Sequence, residues 1–206
     1  MSPEQTASVA AQSQPSTLEL GGLQLVLLGE RAVHVPELAT LLLADLHLGK
    51  GDAFRRAGIA LPRGGTALDL ARLDALIRSH RAERVIVLGD LIHGPLPADA
   101  HWRGQWRSFL DRHAGVRFAA VLGNHDRALR GARDFEGVAL LAEGHDCGGL
   151  RLHHEPPTTE PLNTPVLCGH LHPVLRLRQP GLPPRVPVFW RRGNRLVLPA
   201  FSAFTG

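Results

Sequence analysis

Five times in this chain an apolar stretch stops abruptly at side chains that bind cations. Asp45 and His47 follow Leu41–Ala44, Asp90 follows Val85–Leu88, and Asn124, His125 and Asp126 follow Phe118–Leu122. His153 and His154 follow Gly149–Leu152, and His170 and His172 follow Val166–Cys168. Apolar runs of this length between polar neighbours read as buried strands. Side chains at i and i+2 of a strand share a face, so Asp45 and His47 are expected to leave their strand together. A lone histidine at a strand end is more often a hydrogen-bonded structural residue than a ligand. Five such ends in one chain reverse that expectation. Glycines before Asp90, Asn124 and His170 allow the backbone to turn sharply and approach closely.

The donors are carboxylate, imidazole and amide oxygen, without thiolate, which disfavours a structural zinc site. They suit manganese, iron or zinc in a catalytic setting, and manganese matches mixed oxygen and nitrogen donors best. Seven or so donors are too many for one ion. Two ions ~3.5–4 Å apart, bridged by one carboxylate and a hydroxide, use them all. Such a pair activates the bridging water and clamps both oxygens of an in-line displacement at phosphorus.

The order of elements is strand, helix, strand, helix, strand, followed by several strands with little helix. The expected fold is α/β: a four-layer α/β/β/α sandwich of two mixed sheets packed face to face with flanking helices. Residues 1–17, rich in Ser, Gln, Ala and Pro, read as a disordered tail without the basic and apolar regions of a signal peptide. Residues 18–206 form one expected domain. Gly49–Gly65 reads as a long loop over the first site-bearing strand. Thr66 is expected to cap a helix with Asp69 at N3, carrying Leu68, Leu70, Leu73, Leu76 and Ile77 as its apolar stripe. A second helix over Asp99–His113 places Trp102 and Trp106 one turn apart; packing on the sheet is favoured over base stacking. No apolar stretch approaches the ~20 residues a membrane-spanning helix needs. Two cysteines without CxxC spacing point to a reduced, cytoplasmic protein. The net charge of +4 and the high Arg content fit either a phosphate or nucleic-acid partner or a genome with a codon bias towards Arg, Ala, Gly and Pro.

The motifs Asp45-Leu46-His47, Gly89-Asp90, Gly123-Asn124-His125-Asp126, His154 and Gly169-His170-Leu171-His172, in that order, resemble the calcineurin-like metallophosphoesterase superfamily. A narrower likeness runs through Ala44–Lys50, Phe54-Arg55, Gly58–Pro62, Leu88–His93, His154-Glu155-Pro156 and Gly193–Phe201. These stretches are similar to the ligase-associated DNA-damage-response phosphoesterases, the PdeM family. That resemblance implies a dinuclear phosphodiesterase or nuclease, with a metal-bridging hydroxide attacking phosphorus, in bacterial DNA repair beside a DNA ligase and a helicase. The alternatives are a phosphoesterase acting on a small molecule (a phosphomonoester, a cyclic nucleotide or a nucleotide-sugar diphosphate) and a non-catalytic scaffold in a repair complex.

Carried over by motif, Asp45, His47 and His172 would hold the first metal and Asn124, His154 and His170 the second, with Asp90 between them. His125 would be the acid or charge-stabilising imidazole, and His93 would orient the phosphate. His153 stays open as the alternative strand-end ligand, although the His-x-Pro match favours His154. Asp126 either orients His125 or caps the following helix. Lys50 and Arg55 read as a phosphate grip or as part of a solvated basic loop, with Arg55 favoured by the Phe-Arg match.

Overall fold

The computed structural model describes residues 16–62, 64–94, 96–97, 100–158, 163–178, 183 and 185–203. Its first sheet begins with a hairpin, β1 (Ser16–Leu20) and β2 (Leu23–Leu28), followed by β3 (Ala32–Val35) and β4 (Thr40–Ala44). Ser16 and Thr17, assigned to the tail from sequence, pair with Leu27 and Val26 instead. Residues 1–15 lie outside the described residues. After β4 come α1 (Lys50–Arg56), α2 (Gly65–His80), β5 (Arg84–Leu88), α3 (His101–Arg112) and β6 (Arg117–Val121). The edge is completed by β7 (Asp134–Phe135) and β8 (Val138–Leu141), giving the order β1-β2-β3-β4-β5-β6-β8-β7. β4, β5, β6 and β8 are parallel, so the ends after β4, β5 and β6 open on one side of the sheet.

The second sheet takes β9 (His145–Cys147), β10 (Leu150–Leu152) and β11 (Val166–Cys168). Beyond β12 (Val174–Arg176) and β13 (Arg185–Pro187), which form a separate ribbon, it adds β14 (Trp190–Arg192) and β15 (Arg195–Val197). Its order is β14-β15-β11-β10-β9, and β10, β11 and β15 are parallel.

Strand alternation divides the core. Leu42, Ala44, Ile86, Leu88 and Val121 point inward and meet Leu150, Leu152, Leu167 and Leu196 of the second sheet. The intervening residues Leu41, Leu43, Val85, Val87, Phe118 and Ala120 face outward, against Leu70, Leu73, Leu76 and Ile77 of α2 and Trp102, Trp106 and Phe109 of α3. Trp102 and Trp106 are therefore core residues. Val166, Cys168 and Val197 form a small buried group on the second sheet's other face. The two-sheet α/β arrangement is as expected, but among the described residues no α-helix covers that outer face.

Two local expectations fail. The Gly49–Gly65 segment is not all loop, because α1 occupies Lys50–Arg56. α2 starts at Gly65 behind a left-handed Gly64, without a Thr66 side-chain cap. Asp69 instead accepts bonds from Arg72 and from the backbone N–H of Ala203, tying α2 to the chain's last described turn. Leu68, counted in the apolar stripe, is exposed. Among the described residues no helix is long and apolar enough to cross a membrane.

Candidate metal centre

The strand ends do not stop pairing where the sheet does. Beyond β4 and β5 the two loops remain zipped: Asp45 N–H donates to Gly89 O (3.2 Å), His47 N–H to Asp90 O (2.7 Å) and Leu48 N–H to Leu91 O (2.9 Å). On the second sheet, Gly169 N–H donates to His154 O (3.0 Å). The two sheets meet where His170 N–H donates to the Asp45 carboxylate (3.0 Å). Asp45, His47, Asp90, His170 and His172 all have left-handed backbone, with φ between 45° and 67°. Non-glycine residues rarely adopt this conformation, and it concentrates where a site over-determines it. Asp45 and His47 thus converge through alternating left-handed residues rather than through strand geometry.

Two glycines permit the close approach. A Cβ on Gly89, itself at φ 78°, would overlap the His154 ring. A Cβ on Gly123 would strike the Asp90 carboxylate and backbone.

The side chains form two adjoining groups. Asp45, His47 and His172 bring one donor atom each within 4.8 Å of one another, and so do Asp45, Asp90 and His154. His172 Nε2 lies 3.4 Å from Asp45 Oδ2, and His47 Nε2 lies 3.7 Å from Asp90 Oδ2. On the other side His154 Nε2 sits 2.9 Å from Asn124 Oδ1, 3.1 Å from His170 Nδ1 and 3.7 Å from Asp90 Oδ1. Asp90 stands between the groups, and its Oδ1 also accepts the His125 N–H at 2.9 Å. Sequence reasoning missed Glu155, which forms a third such set with His154 and His170. Its only signal was its place in the His-Glu-Pro stretch.

The fit to cations rests on atoms left without partners. Asp45 Oδ1, His47 Nε2 and His172 Nε2 are buried and have no hydrogen-bond partner. Such groups cost about 1–3 kcal/mol each when left unsatisfied. All three belong to one group, and all are lone-pair donors when the imidazoles are neutral. Burial, reinforced by Lys50 and the surrounding imidazoles, pushes the His47 pKa down to about 2 and keeps its ring neutral. The residues present therefore fit a pair of cations with Asp90 between them.

His153 is not part of the cage: its Nδ1 lies 3.0 Å from Glu143 Oε2. The same Glu143 accepts the His154 N–H (3.1 Å), so the pair holds the strand end from behind while His154 enters the cage. Asp126 fills neither role considered for it. It is fully buried and accepts the N–H groups of Ile92 (2.9 Å), Leu91 (3.2 Å) and Gly123 (2.8 Å), stapling the loop after β5 to the loop after β6.

The imidazoles of His93 and His125 stack at 4.6 Å, with Phe54 stacked on the far side of His93 at 5.8 Å. His47 meets both imidazoles edge-on at 5.2 Å. Burial first, then His125 and Lys50, push the His93 pKa down to about 4, which leaves it neutral near pH 7. Lys50 is half-buried; burial lowers its pKa, while the negative charges of Asp45 and Asp90 raise it. The two residues expected to grip phosphate therefore separate. Lys50 is electrostatically coupled to the cage. Arg55 pairs with Asp52, donates to Pro62 O (3.2 Å) and lines a cleft of about 490 Å³ with Thr66, His101, Trp102 and Gln105. Among the described residues no hydrogen bond or ion pair joins Arg55 to the cage.

The family model described as Calcineurin-like phosphoesterase matches residues 38–195. Among solved structures, Pseudomonas putida nuclease MPE superposes with a TM-score of 0.79 at 33% sequence identity, covering 93% of this chain and 89% of that one. No match is found among curated proteins.

Proposed function

Because this chain belongs to the calcineurin-like phosphoesterase family and is a metal-dependent phosphoesterase, we propose that it hydrolyses phosphodiester bonds of nucleic acid at a dinuclear centre. The observation that carries this is the coincidence of three buried, partnerless donor atoms on Asp45, His47 and His172 with a second donor group on Asn124, His154 and His170. Asp45, His47 and His172 would hold one ion, Asn124, His154 and His170 the other, and Asp90 both. Manganese suits these donors best, with iron or zinc as alternatives. When bound, the ions supply positive charge at phosphorus and lower the pKa of water beside it.

The remaining chemistry belongs to the chain's own side chains. His125 is partly exposed and anchored through its backbone N–H to Asp90, so its ring is placed to give a proton to the leaving oxygen. His93, held between Phe54 and His125, presents a neutral imidazole that orients a phosphate oxygen. Lys50 adds fixed positive charge at the rim. Arg55 contributes by holding α1, which carries Lys50 at its first turn.

The nuclease description of the Pseudomonas putida neighbour supports a nucleic acid as the substrate. A setting in cytoplasmic DNA repair with a ligase and a helicase rests on the motif resemblance alone, and co-purification from cells tests it. The direct test of the function supplies manganese and compares a model phosphodiester with a model phosphomonoester. Diester hydrolysis is expected to dominate and to fall by at least ~10²-fold in Asp90→Ala, which removes the carboxylate that would serve both ions. Full activity in that variant, or fewer than about one ion per chain in the wild type, would end the proposal.

A further inference from the structure

The positive charge of this protein is not spread evenly. Residues 161–206 contain six arginines and no aspartate or glutamate, whereas residues 1–160 carry more acidic than basic side chains. Five of these arginines, Arg176, Arg178, Arg185, Arg191 and Arg192, are exposed. Arg176 and Arg185 lie on the β12–β13 ribbon, Arg178 two residues past β12, and Arg191 and Arg192 on β14 of the second sheet; the ribbon follows directly after His172. Val188 N–H donates to Pro173 O at 3.0 Å and closes the base of the ribbon next to the cage.

The ribbon's pairing is electrostatically unfavourable. Its register sets Arg176 directly opposite Arg185. Like charges directly opposite across an antiparallel pair are destabilising, and a two-stranded hairpin alone in water is marginal. Among the described residues no carboxylate forms an ion pair with Arg176, Arg178 or Arg185. Three of the five large hydrophobic side chains that are exposed among the described residues, Leu171, Leu175 and Trp190, lie in the same stretch. A positive, partly apolar arm beside the site of phosphorus chemistry matches the backbone and bases of a nucleic-acid strand.

We infer that this ribbon is a docking arm for a polynucleotide strand whose scissile phosphate lies in the cage; the inference rests on the phosphodiesterase reading above. Arg176 lies four positions after His172. At a strand rise of ~3.3 Å per residue this is ~13 Å, more than the reach of a single phosphate group. The arm therefore engages phosphates beyond the one being cleaved. A small diester held in the cage does not reach it.

The test uses the full chain with Arg176→Ala/Arg185→Ala and, separately, Arg176→Lys/Arg185→Lys. Hydrolysis of a small chromogenic diester with manganese is expected to be unchanged in both. For an oligonucleotide, KM for cleavage and Kd by fluorescence anisotropy with metal withheld are expected to rise ~10-fold in the alanine variant. Its slope of log K against log salt should shrink by about 1.4, the value for two lost single-strand phosphate contacts. The lysine variant should restore the slope. Unchanged oligonucleotide binding and slope, or a lysine variant as impaired as the alanine one, would overturn the inference. So would a defect confined to anionic lipid vesicles. If the wild type cleaves neither substrate, the phosphodiesterase reading fails, while the anisotropy data still judge the arm.

Discussion

Asp126 makes no contact with substrate in the proposed scheme, yet its truncation should damage the centre severely. Its carboxylate accepts three backbone N–H groups, from Ile92, Leu91 and Gly123. These belong to the loops that carry Asp90, His93, Asn124 and His125. Alanine would strand three buried donors at about 1–3 kcal/mol each, a gross cost of ~3–9 kcal/mol. Two effects reduce it. Burial pushes the Asp126 pKa up, so the native state already carries a desolvation penalty that truncation removes. Water entering the vacated space would also pair with some of the donors. A net loss of ~3–5 kcal/mol is therefore expected, in the exceptional tail for single substitutions. Asparagine keeps one acceptor oxygen but turns an NH₂ towards an N–H, so ~2 kcal/mol is expected there. Urea unfolding with an unchanged m-value measures both, and metal content in manganese reports whether the surviving fold still assembles the cage. An alanine variant within ~1 kcal/mol of wild type, with full metal content, would refute the idea that this carboxylate holds the strand ends together.

Two further outcomes follow from the same geometry. His154→Ala should lose bound metal, whereas His153→Ala, which removes only the partner of Glu143, should retain it; equal loss in both would show that the two neighbours were assigned to the wrong sides of the strand. Burial pushes the Cys168 thiol from its usual 9.0 up to about 12, and burial raises Cys147 as well. Because the folded state holds the Cys168 proton more tightly than the unfolded one, its contribution to stability is complete below pH 9 and is lost as pH rises towards 12. At pH 8 both thiols should react with a disulfide reagent only as fast as the chain unfolds, and rapid labelling of the native protein would contradict their burial.

The site was legible in outline because its donors sit where an apolar run ends. The Leu41–Ala44 and Val85–Leu88 runs betray buried strands, and the carboxylates and imidazoles after them have no comparable use in a core. What escaped the sequence was local conformation governed by distant partners. α1 formed in a glycine-bearing stretch that read as loop, with Gly49 packed closely against Trp102 of α3. Thr66 lost its capping role because α2 starts two residues earlier, with Gly64 in the cap position, and Asp69 found Ala203 instead. Arg55, favoured by motif, is engaged by Asp52 and by the Pro62 carbonyl.

The sequence by itself determined the donor chemistry, the number of strand ends that carry it and the side of each strand that is buried. Those are properties of residue type and of a two-residue period, and both are local. Only the tertiary structure decided that Asp45, His47, Asp90, His170 and His172 adopt left-handed backbone, that Asp126 staples two loops and that His153 turns to Glu143. Each of these depends on hydrogen bonds between segments far apart in the chain. An isolated residue has no reason to accept a left-handed conformation; two sheets brought end to end supply the partners that hold it there.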